Sequence, residues 1–388
     1  MECATTMSSE PPVLPRCLDL AALVAKKSHF LLGPRQTGKS HLLQRALPKA
    51  RIYDLLDSSV YLDLSVRPGR LAEELGPQDK LVVLDEIQRL PQLLNEVHRL
   101  IETRGIRFLL TGSSARRLRG GGVNLLGGRA RVRHLHPLCF RELGNHFDLA
   151  RAVRHGLLPA IYFSDDPRAD LDAYSGSYLQ KEIVAEGVTR NVPAFSRFLR
   201  VAAQCNATVV NFTNVANDAQ VPRTTIYEYF DILRDTLVIE EVPAWQASRT
   251  RKPLVSSKYY FFDVGVVGQL QGRLFEVDQP DIGQALETYI AHELFCYRDY
   301  VSGEPVRHWR SASGFEVDFM LGDHTAIEVK AKRSIGGHDL RSLRAIKDER
   351  AVKRFLCVSL EDRRRKVEGI EILPLKVFLR ALWDGEYA

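Results

Sequence analysis

No stretch of this chain approaches the roughly 20 consecutive apolar residues that a membrane-crossing helix needs, and its six cysteines include no C-x-x-C pair. The first absence argues against membrane residence. The second argues against both a zinc site and a disulfide framework, so Cys3, Cys17, Cys139, Cys205, Cys296 and Cys357 read as reduced, mostly buried thiols. The opening "MECATTMSSEPPVLPRC" has no basic flank followed by an apolar run. It does not read as a secretion signal, and the expected compartment is the cytoplasm. Acidic residues are missing between Arg104 and Arg141, where Arg107, Arg116, Arg117, Arg119, Arg129, Arg131 and Arg133 intervene. A stretch of one sign suits an anionic partner.

What is present fits a soluble globular protein of two or three domains. The 388 residues are long for a single core, and 45% hydrophobic with 26% charged residues is ordinary composition. The net charge of +6 is modest. A second basic stretch runs through Lys330, Lys332, Arg333, Arg341 and Arg344, then Lys353, Arg354 and Arg363 to Lys366. Any one of these charges is ordinary solvated surface, whereas two segregated clusters point toward nucleic acid.

The sharpest signal is "HFLLGPRQTGKSHLL", a short apolar strand, a loop and a helix-like run. Gly33-Pro34-Arg35-Gln36-Thr37-Gly38-Lys39-Ser40 is the G-x-x-x-x-G-K-S phosphate cradle in its required setting. The glycines let successive backbone N–H groups face phosphate oxygens, the adjoining helix N-terminus adds favourable dipole charge, and His41 is counted with the loop as nucleotide-binding. Lys39 is expected on the outer phosphates and Ser40 on magnesium. "KLVVLDEIQRL" supplies the companion strand, ending in Asp85 and Glu86. Asp85 would hold magnesium through water, and Glu86 would orient or deprotonate the attacking water. "IRFLLTGSS" is a third apolar strand, whose Ser113 or Ser114 either contacts the terminal phosphate or forms a plain turn. Arg129 comes after two glycines; it either delivers charge to a transition state, in cis or to a neighbouring subunit of a homo-oligomer, or belongs to the surface.

These segments in order ("LLGPRQTGKS", "LVVLDEIQ", "LLTGSSARRL", "LLGGR" and "HPLCFREL") resemble the prokaryotic AAA-type P-loop ATPases that join an ATPase domain to a tail of unassigned function. The similarity continues through "YLQKEIV", "TTIYEYFDIL" and "KYYFFDVGV" to "IEVK". The resemblance implies an α/β protein with an AAA+ core around a parallel sheet, a winged helix, and a C-terminal restriction-endonuclease-like fold.

The middle of the chain turns polar and helical near residue 150, with Pro159 and Asp165-Asp166-Pro167 as punctuation. "FTNVANDAQVPRTTIYEYFDILRDTLVIEEV" reads as a short helix, a turn and a longer helix starting at Pro222. Val221, Ile226, Phe230 and Leu233 form its buried stripe. Arg223, Thr224, Thr225 and Tyr227 then face outward, at the end that meets bases or phosphates in DNA-reading helices. Winged helices also serve as protein contacts, and Glu228 and Asp231 dilute the positive field here.

"GFEVDFMLGDHTAIEVKAKRS" reads as a hairpin around Gly322-Asp323-His324. Leu321 would face Thr325, Asp318 would face Glu328 and Glu316 would face Lys330, with Val317, Phe319, Leu321, Ile327 and Val329 on the opposite, apolar side. Facing carboxylates repel, and a divalent cation between them reverses the sign. With Lys330 beside Glu328, the D…E-x-K arrangement resembles the PD-(D/E)xK site of restriction-type nucleases. Glu287, on the inward stripe of an upstream helix, would be a further ligand of this second magnesium site, since a buried unpaired carboxylate is costly. Lys332 and Arg333 would bind phosphate.

The sequence therefore divides into a tail (1–18), an AAA+ ATPase domain (19–150), a helical and winged-helix domain (151–250) and a nuclease-like domain (251–388). It reads as an ATP- and Mg2+-dependent ATPase that binds DNA, branched or replicating, with ATP state controlling the engagement. Two rivals stay open, an ATP-dependent nuclease and a nucleotide switch that recruits protein partners. A metabolite kinase fits the basic stretches and Glu86 poorly.

Overall fold

The structure is a computed structural model and describes residues 12, 14–116, 118, 125–178, 191–248, 251–277, 279 and 282–387. Arg117, Arg119 and most of "YLQKEIV" lie outside the described residues.

Five apolar runs form a parallel sheet in the order β2-β3-β4-β1-β5, where β1 is Ser28–Leu32, β2 Arg51–Asp54, β3 Leu81–Asp85, β4 Arg107–Gly112 and β5 Ala130–His134. Phe30, Leu31, Val82, Val83, Leu84, Leu109 and Leu110 are fully buried, which is why these strands read as continuous rather than alternating hydrophobic runs. β1 lies inside the sheet, flanked by β4 and β5. The chain leaves the C-terminal end of β1 directly into the Gly33–Gly38 loop. Gly33 passes so close to β5 that a Cβ would lie 2.3 Å from the Leu135 carbonyl oxygen, and Gly38 takes φ +91° to start the Lys39–Ala46 helix.

The middle unit packs the Val192–Gln204 helix on the Phe212–Ala219 and Arg223–Asp235 helices, with Phe195 meeting Tyr229 and Phe198 meeting Phe230 edge-on in its core. Val221, Ile226, Phe230 and Leu233 are buried as their spacing predicts. Pro222 caps its helix instead of opening it, because its ψ of 141° is extended and the first helical residue is Arg223. A small antiparallel sheet, β6-β8-β7, completes the unit, with β6 Thr208–Val209, β7 Ile239–Val242 and β8 Lys258–Phe261. β8 thus pairs with the helical unit, although the expected boundary at residue 250 assigns it to the C-terminal one.

The C-terminal sheet has six strands in the order β13-β14-β12-β11-β10-β9. These are β9 (Val306–Arg310), β10 (Glu316–Leu321), β11 (Thr325–Lys330), β12 (Arg354–Ser359), β13 (Arg365–Val367) and β14 (Ile370–Pro374). The Ile282–Tyr297 and Leu375–Trp383 helices cover the face that carries Phe319, Leu321, Ile327 and Val329. Leu343 and Ile346 of the Arg341–Asp348 helix cover the other.

The hairpin keeps the expected register, Leu321 opposite Thr325 and Phe319 opposite Ile327. One expectation fails. Pairing with β9 slips between Val317 and Met320, so that Asp318 and Phe319 together oppose His308. Val317 therefore packs with Met320 and Ala326 instead of with Phe319 and Leu321.

The segment between β7 and β8 lies along the outer edge of β9. Trp245 N donates to His308 O (2.6 Å), His308 N to Pro243 O (3.0 Å) and Leu254 N to Arg310 O (2.8 Å). The Trp245 indole is buried in the C-terminal core and donates to Asp323. Among the described residues no helix is long and apolar enough to cross a membrane.

Candidate functional site

The C-terminal ends of β1, β3 and β4 converge on the Gly33–Ser40 loop. Lys39 is buried, and its ammonium donates to the Gly33 and Pro34 carbonyls (2.7 and 3.1 Å). Burial pulls its pKa down to about 8, against the opposing pull of Glu86 and Asp85. Ser40 Oγ donates to Asp85 Oδ2 at 3.3 Å, so the two expected magnesium ligands meet across the loop. Burial pushes the Asp85 carboxyl up, and the hydrogen bond from Thr111 Oγ1 to Oδ1 opposes this. Hydroxyl and carboxylate oxygens are the hard donors magnesium takes, and Ser40 and Asp85 would hold it.

Glu86 sits in the left-handed region at φ 59°, which turns its side chain toward the end of β4. Its backbone N donates to Thr111 Oγ1 (3.1 Å), and its carboxylate accepts from Gln88 Nε2, which also donates to Ser113 Oγ (3.1 Å). Ser113 thus belongs to this layer through Gln88. Sequence reasoning misses Thr111 and Gln88 as site residues. A signal for them exists: both stand within the strand-end motifs "LLTGSS" and "LDEIQ".

Beside Gly38 and His41 opens an apolar cavity of about 210 Å³, walled also by Leu14, Arg16, Pro159 and Phe163. Residues assigned to a tail therefore form part of the site. Arg16 donates to Thr37 O and His136 O (both 2.6 Å) and pairs with the buried Glu142 at 3.0 Å. Arg35, Gln36 and Thr37 complete the loop; Thr37 Oγ1 donates to Pro34 O, and Tyr174 OH donates to Arg35 O.

Arg129 is not part of this constellation. It precedes β5, and Ala130 lies beside Ser28 at the opposite end of the parallel strands, whereas the cradle begins after Leu32. Five residues of strand, roughly 16 Å, intervene. Arg129 pairs there with Glu102. It does not reach the phosphate cradle of its own chain.

A second charged cluster forms where the middle unit meets the C-terminal sheet. Lys258 Nζ, on β8, lies 2.6 Å from Glu316, 3.1 Å from Glu287 and 3.6 Å from Asp318. Tyr260 OH donates to Glu287 (2.6 Å), Val329 N to Asp318 Oδ2 (2.8 Å), and Lys330 pairs with Glu328. Burial and then Asp318 push the Glu287 carboxyl up to about 7. Glu287 points inward as expected but is not unpaired, because Lys258 and Tyr260 satisfy it. Asp318, Glu328 and Glu287 do not converge as a metal triad: among the described residues the only three such donors mutually within 4.8 Å are Cys17, Cys139 and Glu142. As they stand these three carboxylates are engaged by Lys258, Tyr260, the Val329 N–H and Lys330.

Arg223 and Thr224 are exposed, Thr225 is half-buried, and Tyr227 is 42% exposed while stacked on Phe212. Arg223 donates to Tyr227 OH (2.8 Å). Lys332 and Arg333 are exposed beyond β11, and Lys332 pairs with Asp339 (2.5 Å).

Residues 25–144 match the model of a family described as an AAA domain. With the cradle directly after β1 and the acidic pair at the end of β3, this part of the chain is an AAA-type P-loop ATPase domain. Residues 146–276 and 282–378 match two further families, each described as a domain of unknown function. Uncharacterized proteins of Mycobacterium tuberculosis and Mycobacterium bovis are each 27% identical over 318 residues, covering 78% of this chain and 70% of theirs. Two solved structures are similar at 15% identity and a TM-score of 0.27. They are a replication initiator DnaA bound to AMPPCP and single-stranded DNA (55% of this chain, 83% of that one) and the Aeropyrum pernix Orc1 protein in complex with DNA (65% and 90%). Similarity at that TM-score carries no functional argument.

Proposed function

We propose that this chain hydrolyses ATP in a Mg2+-dependent manner and that nucleotide state controls its hold on DNA. The observation that carries the catalytic half is the meeting of Ser40 Oγ and Asp85 Oδ2 beneath the cradle, with Lys39 and Glu86 flanking it. Magnesium, when bound, would neutralise phosphate charge. Backbone N–H groups of the Gly33–Ser40 loop and the Lys39 ammonium would hold the phosphates. Glu86, steadied by Gln88, would orient the attacking water and accept its proton. The apolar cavity beside His41 suits a nucleoside base.

The DNA half is supported by the exposed first turn of the Arg223–Asp235 helix and by the basic residues after β11. The helices and the β6-β8-β7 sheet succeed one another as in a winged helix. A second reading draws support from the segment after β7, which would be the wing: it is tied to β9 and is not free to enter a groove. In that reading the chain is a nucleotide switch whose exposed helix meets protein. ATPase assays with single-stranded, duplex, forked and four-way DNA, run beside Lys39→Ala and Glu86→Gln, decide between the two. Stimulation by a DNA form that weakens with salt supports the first. Turnover indifferent to every DNA form, together with no DNA binding at low salt, overturns it.

A further inference from the structure

We propose that Lys258 is the resident cation of the C-terminal acidic cluster, an ammonium that neutralises carboxylates which a nuclease of this arrangement would turn toward a divalent ion. The cluster gathers four carboxylates, Glu287, Glu316, Asp318 and Glu328, around the β10–β11 hairpin and the Ile282–Tyr297 helix. Undivided negative charge at such density would repel itself. The structure resolves this with an ammonium supplied from another unit. Lys258 belongs to β8 of the middle sheet, its side chain is 1% exposed, and its Nζ contacts three of the four carboxylates at 2.6, 3.1 and 3.6 Å. Lys330 takes the fourth, Glu328.

Part of the carboxylate capacity is already engaged. Asp318 Oδ2 accepts from Val329 N, and Glu287 Oε1 accepts from both Lys258 and Tyr260. Glu328 Oε2 is buried without a hydrogen-bond partner. The slip in β10 explains how Asp318 comes to be shared. With Asp318 and Phe319 both opposite His308, Asp318 is the residue at the bend, within reach of Lys258 on one side and of the β11 backbone on the other.

On this proposal the wild-type cluster is neutralised by lysine and takes up no divalent ion of its own. Its acidic cluster instead forms a joint between the middle unit and the C-terminal sheet, with Lys258 as the pin. This role is independent of the ATPase reading, since none of its residues belongs to the Gly33–Ser40 cradle or to the Asp85–Glu86 pair.

The test is Mn2+ titration of the nucleotide-free full chain, monitored by the electron paramagnetic resonance signal of free Mn2+. Four proteins are compared: wild type, Asp318→Asn, Lys258→Met and the double variant. Wild type and Asp318→Asn are expected to bind equally, whereas Lys258→Met gains a single site that Asp318→Asn removes. Loss of Mn2+ binding in Asp318→Asn relative to wild type overturns the proposal, as does a folded Lys258→Met that gains nothing. If Lys258→Met does not fold, the wild-type and Asp318→Asn pair still decides. An Asp318-dependent nicking of supercoiled DNA by wild type with Mn2+ likewise overturns it.

Discussion

Thr111 touches both acidic residues of the nucleotide site: its hydroxyl donates to Asp85 and accepts from the backbone N–H of Glu86. One side chain at the end of β4 thus sets the orientation of two groups at the end of β3. Thr111→Val keeps the shape and removes the hydroxyl, leaving a buried N–H unpaired at a cost of about 1 to 3 kcal/mol. The expected result is a lower denaturation midpoint and a fall in kcat larger than the change in nucleotide affinity. Equal losses in both would assign Thr111 to folding alone.

Glu86→Gln keeps volume and removes the proposed base. The expected outcome is a kcat lower by roughly 10²- to 10⁴-fold with nucleotide still bound, read by single-turnover hydrolysis beside equilibrium binding of a fluorescent ATP analogue. Retained turnover would move the role of base elsewhere.

Lys39 makes a pH prediction. Its pKa falls from 10.5 in the open chain to about 8 in the fold. Between those values the unfolded chain binds more protons, so stability rises with pH there, and the full cost of burying the ammonium is present below pH 8. In nucleotide-free protein, Lys39→Met should therefore raise the Tm at pH 7, by an amount corresponding to about 1 to 3 kcal/mol, and flatten its dependence on pH between 8 and 10. The same variant should lose ATP binding. A Tm that falls instead would show that the ammonium's carbonyl contacts outweigh its desolvation.

Arg16 joins the segment before the Leu20–Lys26 helix to the cradle. Arg16→Ala leaves Glu142 buried and without its cation, which costs about 3 to 5 kcal/mol. Arg16→Lys keeps charge but not the fork that reaches both Thr37 and His136. Calorimetry should rank wild type above Lys above Ala in stability, with nucleotide affinity in the same order.

Arg129 lies at the far end of the sheet, so Arg129→Ala should leave turnover by dilute, monomeric protein within about twofold of wild type, surface changes of this kind being small. A concentration-dependent defect would reveal a role across a subunit boundary. A defect in the isolated monomer would contradict the geometry.

Much of the frame is readable from the residues. The apolar runs before Gly33, Asp85 and Thr111 mark the strands because a sheet covered on both faces leaves no polar alternation, and the hairpin register comes from two apolar faces meeting at a tight turn. Other features leave little trace. Lys258 is one lysine ahead of several aromatic residues, and nothing local says that its charge will be spent on acids 29 to 60 residues away. The slip at Asp318 depends on the partner strand β9, which a period-two count within one hairpin ignores. The position of Arg129 is legible from topology alone: in a parallel sheet, a residue just before one strand and a loop just after the neighbouring strand lie at opposite ends.

The run after β7 that borders β9 also governs how the polypeptide can be divided. A fragment begun at residue 282, where a family match starts, would be robbed of Pro243, Trp245 and Leu254, baring the outer strand's amide groups to intermolecular pairing. Such a piece is expected to precipitate or associate, and only versions that retain the preceding stretch from about residue 243 should remain dispersed.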